Sequence, residues 1–143
     1  MLRSLMITAL VLYLFLLLTM TLAHKEQAEG TPVSQRLNLT PFATIVHDLG
    51  DNGRGFWINL VGNVVVFTPL GAAIASLAPR RARALHAMSA GFALSLSIET
   101  LQFVIGRRIA DVDDVTLNTL GASLGFFVVD ALRRLRSSGA ARI

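Results

Sequence analysis

The sequence contains no cysteine, which excludes disulfides, thiolate nucleophiles and cysteine-ligated metals. Charge is also scarce. Only 15% of the 143 residues are charged, whereas soluble domains average about 25%. Hydrophobic residues make up 53% of the chain, and the mean hydropathy is +0.60. This balance indicates that much of the chain faces lipid.

Features of nucleic-acid-binding proteins are missing as well. Basic residues outnumber acidic ones by 13 to 9, but no basic patch interleaved with aromatic residues and no nucleic-acid-binding motif occurs. The arginines lie beside apolar runs, which is typical of residues that orient a membrane protein. The three histidines, His24, His47 and His86, form no pair with a nucleophile. We therefore predict no nucleic-acid partner and no cofactor.

Four apolar runs predict four transmembrane helices, because about 20 apolar residues span the hydrocarbon core of a bilayer. They cover residues 5–23, 56–78, 84–105 and 114–132. We predict an all-α integral membrane bundle, formed by a single domain over residues 1–143, with a polar loop over residues 24–55. A cleaved signal peptide is the alternative for the first run, since Thr21-Leu22-Ala23 resembles a cleavage site. The length of the run favours a retained helix.

The basic residues predict the orientation of the bundle. Eight lysines and arginines belong to the N-terminus, the second loop and the C-terminal tail, and five belong to the first and third loops. The side with more basic residues is usually cytoplasmic. Both termini are therefore predicted in the cytoplasm of a cell-membrane protein, with the first loop outside.

This orientation places nearly every polar residue of the apolar runs beneath the extracytoplasmic surface. Spacings of three and four residues give two polar helix faces, one from Ser95 to Gln102 and one from Asp111 to Gly125. Asp113 is predicted to point elsewhere. The predicted ligand-binding set combines these faces with residues of the loops and the second run: Asn38, Asn59, Asn63, Glu99, Gln102, Arg108, Asp111, Asp114 and Asn118.

Four segments resemble the VanZ-like family of membrane proteins, which is named for a teicoplanin-resistance protein. They are NLTPFATI (38–45), NLVGNVVVFTPLG (59–71), SIETLQ (97–102) and RIADVDDVTLNTLGASLG (108–125). The resemblance implies a bacterial integral membrane protein linked to the cell envelope or to glycopeptide antibiotic resistance. It implies no agreed reaction. The family positions fall on the predicted site residues and on Pro41, Phe42, Gly62, Phe67, Pro69, Gly71 and Gly121, and Arg107 is an additional arginine.

The polar cluster has a structural and a functional interpretation. In the structural interpretation, Glu99 forms an ion pair with Arg108, and the carboxylates of Asp111 and Asp114 cap the fourth helix. The side-chain amides of the cluster form hydrogen bonds between helices. Carboxylates at a helix N-terminus contribute about 0.3–1 kcal/mol each. In the functional one, the cluster is a site. Intramembrane ionisable residues usually mark such sites, and three helices and a loop converge here at one depth.

Three functions fit such a site. In the first, it binds a membrane lipid or lipid-linked envelope molecule, whose phosphate or carboxylate Arg108 holds in a bidentate fork. In the second, it is an enzyme acting on that molecule. Glu99 is then the candidate general base, Arg108 a further catalytic candidate, and Asp111 and Asp114 the candidate ligands of a divalent cation such as Mg²⁺. In the third, the chain is a small transporter subunit that works as an oligomer.

Overall fold

The computed structural model describes residues 1–23, 32–50, 53–78, 84–106 and 108–140. The described residues form five helices, of which four are long and apolar enough to cross a membrane. This confirms the predicted all-α membrane bundle. The helices are α1 (Leu2–Ala23), α2 (Ala43–Gly50), α3 (Arg54–Leu77), α4 (Ala84–Ile105) and α5 (Val112–Ala140).

Two features of the first loop were not predicted. The short helix α2 lies within it, and the strand β1 (Leu37–Asn38) pairs in parallel with β2 (Ala110–Asp111), just before α5. The pairing places Asn38 opposite Asp111 and is extended by a hydrogen bond of 2.9 Å from the Ala110 amide to the Arg36 carbonyl. The loop is therefore fixed to the start of α5.

The helix bounds differ most at α5. This helix begins at Val112, so Asp111 precedes it and Asp113 lies in its first turn. It continues beyond the predicted end at residue 132 as far as Ala140, because the polar tail has no proline to stop a helix. Helix α1 begins three residues earlier than predicted, α3 is shifted by one or two residues, and α4 has the predicted bounds.

Helices α3 and α5 pack together through glycines. A Cβ atom on Gly121 would overlap the Val64 carbonyl oxygen, and one on Gly125 would overlap that of Thr68. The same contact occurs in reverse at Gly71, which faces the backbone of α5. Small residues spaced in this way let membrane helices approach closely, so α3 and α5 form the central pair of the bundle.

The apolar core draws on all four long helices. Its main cluster consists of Leu17, Phe67, Leu70, Ile98 and Ala122. Helix α1 is the most exposed of the four, and the Tyr13 hydroxyl joins it to α3 by donating to the Val66 carbonyl at 2.7 Å. A loosely packed α1 leaves space between itself and α3.

Arg133 closes the end of the bundle that lies opposite the first loop. Its guanidinium donates hydrogen bonds from α5 to the carbonyls of Ala75 and Ser76, the latter at 3.1 Å. The last carbonyls of a helix lack partners within the helix, and a positive charge is favourable there. Arg133 therefore stabilises the C-terminus of α3.

Some residues used in the sequence predictions lie outside the described part of the chain. They are His24, Lys25, Arg80, Arg81, Arg83, Arg107 and Arg142, together with the side chain of Arg54.

Candidate functional site

Asp111 anchors the first loop to the membrane helices. Its Oδ2 accepts hydrogen bonds from the Asn38 amide, at 3.1 Å, and from the Thr44 hydroxyl. Its Oδ1 accepts the backbone N–H of Asp113 at 2.8 Å, which makes Asp111 the cap of α5, as one of the interpretations expected. One carboxylate thus holds a loop and starts a helix.

Asp113 points away from the face that Asp114 and Asn118 share, as predicted, and it serves the loop, a role that was not predicted. Its buried carboxylate accepts the backbone N–H of Phe42 at 2.6 Å and that of Ile45 at 3.4 Å. Both amides belong to the start of α2. Phe42 has a φ of 64°, a left-handed conformation that costs energy in a residue other than glycine. Asp113 holds this strained residue in place.

Asp114 links α3, α5 and the arginine. Its Oδ1 accepts a hydrogen bond from Asn63 at 2.7 Å, and its Oδ2 lies 3.6 Å from Nη2 of Arg108. Asn59, one turn before Asn63, donates instead to Asp48 of α2 at 2.5 Å. The two asparagines share a helix face as predicted, but they bind different partners.

Glu99 is buried near the end of α4, and its Oε2 accepts the backbone N–H of Asp111 at 3.0 Å. The expected ion pair between Glu99 and Arg108 is not seen among the described residues. Arg108 instead forms its ion pair with Asp114. Glu99 therefore joins α4 to the β2 strand.

Gln102 and Asn118 provide the remaining amides. The Gln102 Nε2 donates to the Thr21 carbonyl of α1 at 2.8 Å, and the Asn118 Nδ2 donates to the Ser95 hydroxyl of α4 at 2.8 Å. These bonds tie α4 to its two neighbours. The oxygens of both amides accept no hydrogen bond from the described residues.

Two cavities meet at this cluster. A groove of about 850 Å³ lies between α1 and α3, and a polar cavity of about 600 Å³ lies beneath the first loop. Asn59, Arg108 and Asp114 line both. A third space of about 380 Å³ continues the groove along α1 and α3 and shares Ala9 and Tyr13 with it.

All nine predicted ligand-binding residues line one or both of the first two cavities. Sequence reasoning missed Thr44 and Asp48, which line the polar cavity, and Asp113, which holds the start of α2. These belong to α2 and to the face of α5 that meets it. The sequence signal for them is that residues 43–50, after Pro41, have an apolar pattern compatible with a helix. Such a helix needs a surface to pack against and a cap at its N-terminus.

The candidate divalent-cation site at Asp111 and Asp114 stays a prediction. Within the described ranges, no group of three or more histidine and carboxylate side chains is arranged to hold a metal ion. Both oxygens of Asp111 already accept hydrogen bonds. Asp114 and Glu99 are the carboxylates that face the groove.

Four membrane-length helices, with a buried polar cluster at one end, define a multi-pass membrane protein. A family model described as VanZ/LLP1 matches residues 6–133 of the chain. The chain belongs to the VanZ/LLP1 family, as its sequence motifs predicted. No curated protein and no solved structure matches it.

Proposed function

We propose that this protein binds one lipid-linked or lipid-tailed molecule of the cell envelope. The hydrocarbon part lies in the groove between α1 and α3, and the head group lies in the polar cavity beneath the loop. The observation that carries this proposal is the shared wall of the two cavities, formed by Asn59, Arg108 and Asp114. An apolar space joined to a polar one matches the two parts of an amphiphile.

The dimensions support a chain lying along the membrane normal. The groove and its continuation are lined by α1 from Met6 to Thr21. That length of helix rises about 22 Å, which is most of the roughly 30 Å hydrocarbon core. Side chains such as Leu12, Leu16 and Val66 make the lining mostly apolar. Arg108 at its polar end supplies donors for a phosphate or carboxylate.

Gly62 supports a ligand in the groove. It lies in the interior of α3 and lines the groove, and a Cβ added there would meet no atom within 4 Å. Glycine inside a helix costs about 0.5–1 kcal/mol relative to alanine. Packing explains this cost at Gly121, but not at Gly62. A ligand that approaches the backbone closely does explain it.

The excess of basic residues at the opposite end supports an extracytoplasmic head-group cavity. In this proposal the termini lie in the cytoplasm of a cell-membrane protein. The ligand is then a molecule of the outer face, where envelope precursors are exposed to glycopeptides. Binding such a molecule would connect the protein with teicoplanin tolerance.

Mass spectrometry of co-purified lipids tests the proposal. Wild type should retain a specific lipid or envelope precursor, and Gly62→Leu should lose it because leucine fills the groove. Val61→Phe is the matched control. Val61 is exposed and lines neither cavity, so this variant adds similar bulk on the lipid side. Equal lipid content in all three proteins would contradict the proposal.

An enzyme acting on the bound molecule is the second candidate. Its support is Glu99, a buried carboxylate that lines the groove beside Arg108, with one oxygen held by the Asp111 amide. Glu99→Gln should then retain the lipid but stop its turnover, and Asp114→Asn should remove any dependence on a divalent cation. If Glu99→Gln and Arg108→Ala instead disappear from the membrane, the cluster is structural.

A further inference from the structure

Gln102 has a buried acceptor oxygen without a donor. Its side-chain N–H₂ donates to the carbonyl of Thr21 at 2.8 Å. A carbonyl only accepts hydrogen bonds, so this contact fixes which end of the amide is oxygen. The residue is 1% exposed, and its Oε1 has no partner among the described residues. Buried acceptors of this kind are rare in native proteins.

Asn118 repeats the feature on α5, the helix next to α4. Its Nδ2 donates to the Ser95 hydroxyl, the residue is 6% exposed, and its Oδ1 also has no partner among the described residues. Both amides line the groove. Asn118 lies one helical turn, about 6 Å, beyond Asp114 and therefore deeper in the membrane than the arginine pair.

Nearer the polar end of the groove, the donor side chains face Asp114. The Asn63 amide donates to Asp114, and Arg108 forms an ion pair with the same carboxylate. Glu99 adds a further acceptor one turn before Gln102. The groove wall therefore offers oxygens where its ligand passes from head group to hydrocarbon.

We infer that the groove contains a subsite for a hydrogen-bond donor, an ammonium or hydroxyl group placed where the ligand's head group joins its hydrocarbon chain. Gln102 Oε1 and Asn118 Oδ1 each accept a hydrogen bond from this part of the ligand, with Glu99 as the neighbouring charge. The inference rests on the proposed function and narrows its ligand class. A ligand without donors would leave these oxygens unpaired, and such sites discriminate strongly against analogues that lack the donor.

Two matched pairs of lipids test the subsite. Sphingosine and its N,N,N-trimethyl derivative differ in the N–H donors of an ammonium group that lies next to the hydrocarbon chain. A monoacylglycerol and its dimethyl ether differ in their hydroxyls. Titration of detergent-purified protein, measured by native mass spectrometry, should give about tenfold tighter binding of the donor-bearing member in at least one pair. The pair that shows the preference identifies whether the donor is an ammonium or a hydroxyl group.

Variants assign the preference to the two amides. Gln102→Met and Asn118→Leu should each reduce it to about twofold or less. Thr100→Val should keep it, because that exposed hydroxyl bonds within α4. Asn118→Leu leaves the bond between Gln102 and Thr21 intact, so it decides the matter if Gln102→Met does not fold. A preference that survives both substitutions is steric and overturns the inference.

The remaining outcomes separate the inference from the proposed function. If wild type binds both members of each pair equally and Gly62→Leu blocks them all, the groove holds lipid but the donor subsite is wrong. If Gly62→Leu changes the binding of no probe, the groove is not a lipid site, and both the inference and the proposed function fail.

Discussion

Adding one methyl group to Gly62 and one to Gly125 should change the stability of the bundle in opposite directions. Both glycines lie inside helices of the central pair, so alanine gains about 0.5–1 kcal/mol of helix stability at either position. At Gly62 the new Cβ meets open space, and the gain is realised. Gly62→Ala should therefore be more stable than wild type by that amount.

At Gly125 the same atom overlaps the carbonyl oxygen of Thr68 and lies 2.8 Å from its carbonyl carbon. These are backbone atoms of α3 and cannot rotate away, so the helices must separate. Overpacking of this kind costs about 1–3 kcal/mol. After the gain in helix propensity, Gly125→Ala should lose up to about 2.5 kcal/mol of net stability. The gain in helix propensity is the same at both positions, so the two variants should differ by the overpacking cost of about 1–3 kcal/mol.

Unfolding by SDS in mixed micelles, followed by circular dichroism, measures this difference. The midpoint of Gly125→Ala should lie below that of wild type, and the midpoint of Gly62→Ala above it. A Gly125→Ala protein as stable as Gly62→Ala would refute the close contact of α3 and α5. A destabilised Gly62→Ala would refute the open groove.

Three further predictions concern other parts of the molecule. Asp113→Ala should leave the bundle folded but release α2, since two backbone amides lose their acceptor at a cost of about 1–3 kcal/mol each; faster proteolysis of the first loop checks this, and unchanged protection contradicts it. Arg133→Met should lower the free energy of unfolding in SDS by about 1–2 kcal/mol. Arg134→Met breaks only an exposed ion pair with a residue one turn away and should change the free energy of unfolding by at most about 0.5 kcal/mol. Equal losses in the two variants would refute the capping role of Arg133. Since the chain has no cysteine, Gln35→Cys should react with an impermeant maleimide on intact cells and Ser138→Cys only after lysis, and the reverse pattern would invert the proposed orientation.

The helices and the gathering of the polar residues could be predicted from sequence for clear physical reasons. Uncharged runs of about 20 residues specify their own membrane spans. Polar residues three or four apart on such a helix must share a face, and that face turns inward because lipid is a poor environment for it. Asn63 and Asp114 meet in this way.

The first loop could not be predicted in the same manner. The prediction for Asp113 considered only the other membrane helices as packing partners of α5. In the structure, the loop helix α2 lies against the remaining side of α5. The parallel pairing of β1 and β2 involves two residues in each strand, too few to leave a periodic pattern. Exact partners, such as Asp48 for Asn59, depend on where that loop packs.

The tether between the first loop and α5 also determines when the polar cavity is completed during synthesis. Asn38 and Asp111 are separated by 73 residues, and Phe42 and Asp113 by 71. At translation rates of about 5–20 residues per second, roughly 4–15 s separate the emergence of the two partners. During that interval the nascent loop lacks both of its carboxylate anchors. The protein therefore acquires its polar cavity only with the insertion of its last helix, and a chain stalled before α5 has none.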